Sequence, residues 1–206
     1  MRKIAIIVLV LMLAGCAVQN QPYDSGAAPQ DINSVTSAGS KFAFDLYSNY
    51  SANEGNIFFS PFSISSAMAM AYEGAQGQTK KEIQSLFYFP QDQELRSAYA
   101  QLFNEINRKD KNYMLAAANA LWAQQDFQFS RNYVDTIDRY YDGKITNLDF
   151  KGNPEGSRTA INNWVEEKTN EKIKDLIPLG FIKPATRLVL TNAIYFKAEW
   201  ATQFDN

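Results

Sequence analysis

The stretch LVLTNAIYFKAEW, residues 188 to 200, has the pattern of a strand with one polar residue on its apolar face. Side chains alternate between the two faces of a strand. The apolar face of this one is formed by Leu188, Leu190, Ile194 and Phe196. Asn192 falls on that same face, where an amide without hydrogen-bond partners costs roughly 1–3 kcal/mol. The fold must therefore supply a partner, and a neighbouring backbone group is the simplest one.

The composition is that of one globular domain with a sizeable core. Of the 206 residues, 46% are hydrophobic and 20% are charged, and the net charge is −2. Because no basic block occurs, we expect no nucleic-acid partner. The sequence has no histidine and one cysteine. This excludes Ser-His-Asp and Cys-His catalysis, histidine-based zinc sites and an internal disulfide within these residues.

The amino terminus, MRKIAIIVLVLMLAGC, predicts export. Two basic residues precede an apolar run that is too short to span a bilayer, as in a secretory signal. Small residues then precede Cys16, and this ending resembles a bacterial lipobox, in which the cysteine is lipidated. An ordinary signal with an incidental cysteine is the alternative. We predict a lipoprotein signal peptide at 1–15, a flexible polar tether at 16–33 and one folded domain at 34–206. The protein would then be anchored by lipid at the cell envelope surface or be extracellular.

The remaining pattern predicts helices first, followed by strands interleaved with helices. Helical spacing covers residues 34–50, and a short apolar strand is predicted at 57–59. Ser60 and Pro61 are typical of a helix start, and the helix runs to about Glu73. Further strands are predicted at 113–124, at 144–150 and in the stretch quoted first. The irregular order favours an α+β fold with a largely antiparallel or mixed sheet.

Two serines belong to the same question as Asn192. The helix that begins at Pro61 is apolar on nearly every side, which is typical of a buried helix. Ser60 and Ser63 are therefore expected to direct their hydroxyl groups into the protein. A hydroxyl both donates and accepts, so either could pair with a buried amide.

Four separated motifs, in order, resemble the serpin family. They are NIFFSPFSISSAMAMAYEGAQGQTKKEI (56–83), NALW (119–122), NNWVEEKTNEKI (162–173) and TNAIYFKAEW (191–200) followed by FD at 204–205. The resemblance implies the amino-terminal half of the serpin fold, a helical cluster packed on a large mixed or antiparallel central sheet. It also implies that Ser60, Ser63 and Asn192 belong to the "shutter", a polar cluster beneath that sheet, and that Trp200 lies at the "breach", where the sheet first opens.

The resemblance also implies a function. Serpins are not enzymes and need no cofactor or metal; they trap a serine protease, or in some cases a cysteine protease. The protease cleaves a reactive loop, which then inserts into the central sheet. The sequence is expected to stop before that loop, so no reactive centre can be named, and the 206 residues alone are expected to be inactive. An open sheet edge beside residues 188–200 would favour self-association. A non-inhibitory serpin that acts as a surface carrier and an anchored solute-binding lipoprotein are the alternatives.

Overall fold

The computed structural model describes residues 26–109 and 112–202. The predicted signal peptide, Cys16 and most of the predicted tether lie outside these ranges. The elements in chain order are α1 (Pro29–Tyr50), α2 (Pro61–Gly74), α3 (Gly77–Phe87), α4 (Asp92–Ile106), β1 (Met114–Gln124), α5 (Arg131–Tyr141), β2 (Gly143–Leu148), α6 (Pro154–Lys168) and β3 (Leu188–Lys197). Among the described helices, none is long and apolar enough to cross a membrane.

The three strands form one mixed sheet with β1 in the centre. β2 pairs with β1 in parallel, and β3 pairs with β1 antiparallel. Asn119 of β1 therefore lies opposite Gly143 on one side and opposite Asn192 on the other. The predicted α+β class with a mixed sheet is confirmed.

Helices cover both faces of the sheet, because both faces of β1 and β3 carry apolar side chains. On one face, Leu121 and Ile194 pack with residues of α1, α2, α4 and α5 in the larger core. On the other face, Trp122 and Val189 pack with Ile161 of α6 in a smaller core. Asn192 shares the face of Ile194, so it lies beneath the sheet on the side of α2.

The start of α2 follows the sequence prediction. The Ser60 hydroxyl accepts a hydrogen bond of 3.3 Å from the Ser63 amide, and Pro61 occupies a first-turn position where no amide partner is needed. This cap fixes the direction in which α2 passes beneath β3. It also places the Ser63 side chain, one turn into the helix, at the sheet.

Two strand predictions are corrected. Residues 57–59 form no strand, because no other described segment pairs with them, and Phe58 is fully exposed. In the stretch quoted first, β3 ends at Lys197 rather than continuing to residue 200. Phe196, predicted on the buried face, is 64% exposed, because it lies near the end of the strand, beyond the helices that cover Ile194.

The predicted helix at 34–50 begins earlier, at Pro29. Proline is favoured in a first turn, and the Asp31 carboxylate accepts a 3.0 Å hydrogen bond from the Ala28 amide. Acidic side chains also stabilise the positive end of the helix dipole. Residues 29–33, which the sequence assigned to the tether, are therefore part of α1.

Candidate functional site

A chain of hydrogen bonds crosses the underside of the sheet. The Ser63 hydroxyl donates to the Asn192 side-chain oxygen. The Asn192 Nδ2 donates to Asn119 Oδ1 at 2.8 Å, and Asn119 Nδ2 donates to the Tyr141 carbonyl at 2.7 Å. We call these four residues the polar cluster. Since every donor in it points the same way, from α2 across β3 and β1 to the end of α5, each bond polarises the next.

The polar cluster answers the question that Asn192 raised. The Asn192 side chain accepts a hydrogen bond from Ser63 of α2 and donates one to Asn119 of β1. Its partners are therefore two side chains and not a neighbouring backbone group. Asn119 is 3% exposed, so its two bonds replace those it would make to water. The arrangement binds α2 to two adjacent strands through groups that can exchange partners.

The other predicted site residues lie around this cluster. Ser60 is linked to it through Ser63, whose amide it caps. Trp200 lies beyond the end of β3 and is 73% exposed. The assignment of these residues to a shutter and a breach stays a prediction. Cys16, the predicted lipidation site, lies outside the described residues.

The sequence reasoning missed Asn119, although a signal for it was present. In the segment MLAAANALWAQ, Asn119 is the single polar residue between Met114 and Ala123, just as Asn192 interrupts an apolar strand face. Asn119 and Asn192 are directly opposite each other in the antiparallel pair. Two isolated asparagines in two apolar strands would have predicted a cross-strand amide pair.

A second group of polar side chains lies between α2, α3 and α4. Arg96 donates to both oxygens of Glu73, at 3.0 Å from Nε and 2.6 Å from Nη2. Asp92 accepts from Lys80 at 2.6 Å and from the Tyr72 hydroxyl at 2.7 Å. We call Glu73, Arg96, Asp92 and Lys80 the ion cluster. The Glu73 side chain is 1% exposed, and the bidentate hydrogen bonds from Arg96 offset its loss of hydration.

Burial and neighbouring charges shift the pKa values of Tyr141, Arg96 and Asp92. Burial raises the pKa of Tyr141 well above its usual value, and the neighbouring Glu73 carboxylate raises it further. The hydrogen bond to Glu73 raises the pKa of Arg96. Burial alone would raise the pKa of Asp92, but the hydrogen bonds from Lys80 and Tyr72 outweigh it and hold that pKa below its usual value.

The polar cluster consists of groups that form hydrogen bonds. Within residues 26–109 and 112–202, no three or more aspartate, glutamate or cysteine side chains are placed to hold a metal ion. The polar cluster offers amides, a hydroxyl and a carbonyl, which form hydrogen bonds but supply no activated nucleophile. One of its members, Asn192, lies on an edge strand, because β1 is the one strand that pairs with β3 in the described residues.

Comparison with known proteins identifies the fold to which this geometry belongs. The sequence model of the family described as "Serpin (serine protease inhibitor)" matches residues 37–206. The chain belongs to the serpin family. The matched region includes α2, the whole sheet and both clusters, so the arrangement described above is that of a serpin sheet and the helices beneath it.

This serpin has relatives in archaea and animals. It is 40% identical over 220 residues to an uncharacterized serpin-like protein of Methanosarcina acetivorans, a match that covers 98% of this chain and 52% of the relative. Human serpin B3 is 38% identical over 191 residues, a match that covers 84% of this chain and 49% of the relative. The structure of ovalbumin from emu, Dromaius novaehollandiae, superposes with a TM-score of 0.79 at 28% identity, with 84% and 49% covered.

These matches share one feature of coverage. The chain spans about half the length of the curated relatives it matches. The description of the family model names serine protease inhibitors, and it applies to the family as a whole.

Proposed function

We propose that this serpin, with the second half that its relatives carry, inhibits a serine protease by suicide-substrate trapping. The protease cleaves a reactive loop supplied by that second half, and the loop enters the sheet as a new strand beside β3. The observation that carries the proposal is the position of the polar cluster. It ties the edge strand to α2 through bonds that can be broken and remade when the strand is displaced.

The free edge of β3 supports the same proposal. Within the described residues, β3 pairs with β1 on one side and presents its other edge without a strand partner. Insertion of the loop would pair this edge within one molecule. The same edge is open to pairing with a second copy, so we propose that self-association competes with insertion.

We also propose that the protein acts outside the cytoplasm. The basic start, the short apolar run and the small residues before Cys16 support export and lipidation of that cysteine. A lipid on Cys16 would hold the inhibitor at the cell envelope surface, where it would meet proteases from the surroundings. Labelling with a clickable fatty acid tests this: label on the wild type and none on Cys16→Ser supports the anchor, and label on neither contradicts it.

The decisive experiment incubates the complete protein with trypsin-like, chymotrypsin-like and subtilisin-like proteases. We expect a complex with one of them that survives denaturing gel electrophoresis, because trapping leaves the protease esterified to the cleaved loop. Cleavage without a stable complex with any protease of the panel would contradict inhibition and favour a non-inhibitory serpin.

A matched pair of variants tests the role of the polar cluster in trapping. Asn192→Ala removes the link between β3 and both of its partners, whereas Asn147→Ala changes an exposed residue of β2 in the same sheet. We expect Asn192→Ala to alter the number of inhibitor molecules consumed for each protease trapped, and Asn147→Ala to match the wild type. If the wild type, Asn192→Ala and Asn147→Ala consume the same number of inhibitor molecules for each protease trapped, the polar cluster has no part in trapping.

A further inference from the structure

Tyr141 belongs to two contact systems at once. Its carbonyl accepts from Asn119, which joins it to the polar cluster. Its hydroxyl donates to Glu73 Oε1 at 2.9 Å, which joins it to the ion cluster. The side chain is fully buried, and its ring packs against Tyr99 with a centroid separation of 5.4 Å. A single residue therefore carries the contact between the two clusters through its two ends.

The backbone around Tyr141 has little freedom to absorb a movement. Tyr141 ends α5, Asp142 has a left-handed φ of 49°, and Gly143 begins β2. A Cβ atom on Gly143 would lie 2.5 Å from Ile137 Cγ2 and 3.2 Å from Leu121 Cδ1. The junction between α5 and β2 is therefore closely packed. We expect a shift of the Tyr141 ring to move the Tyr141 carbonyl relative to Asn119.

The contacts form a closed circuit on one helix. α2 carries Ser63 near its start and Glu73 near its end, ten positions apart and about 15 Å along a helix axis. From Ser63 the circuit passes through Asn192, Asn119 and Tyr141 and returns to α2 at Glu73. Because both ends of the circuit lie on α2, a movement of β3 away from Ser63 either breaks the Ser63–Asn192 bond or strains the Tyr141–Glu73 bond at the other end.

The Glu73 end depends on Arg96. A carboxylate near the end of a helix meets the negative end of the helix dipole, and here it is also buried. Arg96 of α4 supplies the compensating charge through two hydrogen bonds. The position of Glu73, and through it that of Tyr141, is therefore set by how α4 packs on α2.

We infer that Tyr141 is a positioning residue that transmits the packing of the Glu73–Arg96 pair to the polar cluster, and so sets how readily β3 is displaced. The inference deepens the proposed function, on which its consequence for loop insertion rests. When the Tyr141 hydroxyl is released from Glu73, the Asn119 and Asn192 bonds loosen. The displaced arrangement of β3 then becomes easier to reach.

The test compares Tyr141→Phe with Tyr72→Phe in the complete protein. Both changes remove a buried phenol that donates to a carboxylate, but the Tyr72 hydroxyl bonds Asp92, and no hydrogen bond joins it to the polar cluster among the described contacts. We expect amide hydrogen exchange in peptides that contain Asn119 and Asn192 to become about 3- to 10-fold faster in Tyr141→Phe, since a hydrogen bond to a charged group is lost. Tyr72→Phe should leave these peptides at the wild-type rate.

Glu73→Gln is the second variant, in case Tyr141→Phe does not fold. Glutamine keeps an acceptor for the Tyr141 hydroxyl but removes the charge that holds Arg96, so an intermediate rise in exchange is expected. Unchanged exchange in the first variant that folds would overturn the inference. An equal rise in Tyr72→Phe would overturn it as well, because it would show general loosening of the core.

The failure of the proposed function would look different. Hydrogen exchange needs no protease, so it reports on the coupling even if the wild type traps none. Where the wild type does trap a protease, we expect Tyr141→Phe to lose inhibitory activity on storage about three times faster, by early loop insertion, and Tyr72→Phe to match the wild type. Faster exchange with unchanged storage lifetime would restrict Tyr141 to a structural role and overturn its part in insertion.

Discussion

The two faces of β1 and β3 are built from different kinds of contact. Beneath the sheet, Asn119 and Asn192 form hydrogen bonds that run in one direction from α2 to α5. On the α6 side, Trp122 packs edge-on against Trp164, and its indole donates to the Thr191 hydroxyl at 2.9 Å. The first face sets a chain of exchangeable hydrogen bonds within the larger apolar core, whereas the second face is joined mainly by packing of large side chains.

This difference indicates which contacts of the sheet can be rearranged when a strand moves. Packed aromatic side chains lose about a quarter to a half of their contact energy when they separate by about 0.5–1 Å. Hydrogen-bonding groups can take new partners, including water, after the same displacement. We therefore expect substitutions on the α6 face to lower stability, and substitutions in the polar cluster to change both stability and the ease with which β3 moves.

The largest effect is expected on the α6 face. Trp122→Ala should lower the free energy of unfolding by about 3–5 kcal/mol, because a buried aromatic ring is replaced by a cavity. Denaturant unfolding of the complete protein measures this. Trp164→Ala, which truncates the less buried partner, should have a smaller effect. A loss of less than about 1.5 kcal/mol in Trp122→Ala would mean that this face collapses around the gap and is not held by shape.

Loss of the central amide of the polar cluster ranks second. Asn119→Ala should lower the free energy of unfolding by about 2–4 kcal/mol, because the Tyr141 carbonyl and the Asn192 amide both lose a partner. Asn119→Asp keeps an acceptor for Asn192 but places a carboxylate against the Tyr141 carbonyl, so it should destabilise as well. The exposed Asn147→Ala is the control, with a change within about 0.5 kcal/mol. If Asn119→Ala behaves like the control, then water satisfies both groups and the cluster is not a mechanical link.

The contrast between the faces also separates what the sequence could and could not predict. The α2 cap and the polar position of Asn192 follow from local rules of capping and alternation, and the mixed sheet follows from the irregular order of helices and strands. Asn119 was readable by the same alternation, although it was overlooked. The Glu73–Arg96 pair could not be predicted from the sequence, because it depends on how α2 packs against α4. The Tyr141 carbonyl was not readable either, since every residue has one. The prediction of a strand at 57–59 was wrong for a related reason. A strand needs a neighbouring strand to pair with, and the local sequence does not show whether one is present.

A smaller effect is expected where α5 joins β2. Gly143→Ala should cost about 1–3 kcal/mol, because the added methyl group overlaps Ile137 and presses on Leu121. Since Gly143 lies two residues after Tyr141, we also expect faster hydrogen exchange at Asn119. Gly39→Ala is the control, because nothing lies within 4 Å of a Cβ at this position in α1. The control should stabilise the protein by up to about 1 kcal/mol through helix propensity. Tolerance of Gly143→Ala would show that the junction can move, which would weaken the closed circuit.

The smallest effect concerns the acid response of the ion cluster. The pKa of Asp92 is held down in the folded protein, so this carboxylate contributes stability above its unfolded pKa of about 4. That contribution is lost as the pH falls through the lower, folded value. Lys80→Met removes the strongest of the groups that lower the pKa, so burial is opposed less and the pKa of Asp92 should rise. Carboxyl NMR titration measures this directly, with the exposed Lys81→Met as the matched control. An unchanged pKa in Lys80→Met would mean that Tyr72 and Arg96 suffice to hold the charge of Asp92. The 2.6 Å contact between Lys80 and Asp92 would then add little to the ion cluster, and the link through Glu73 would be its one mechanically important bond.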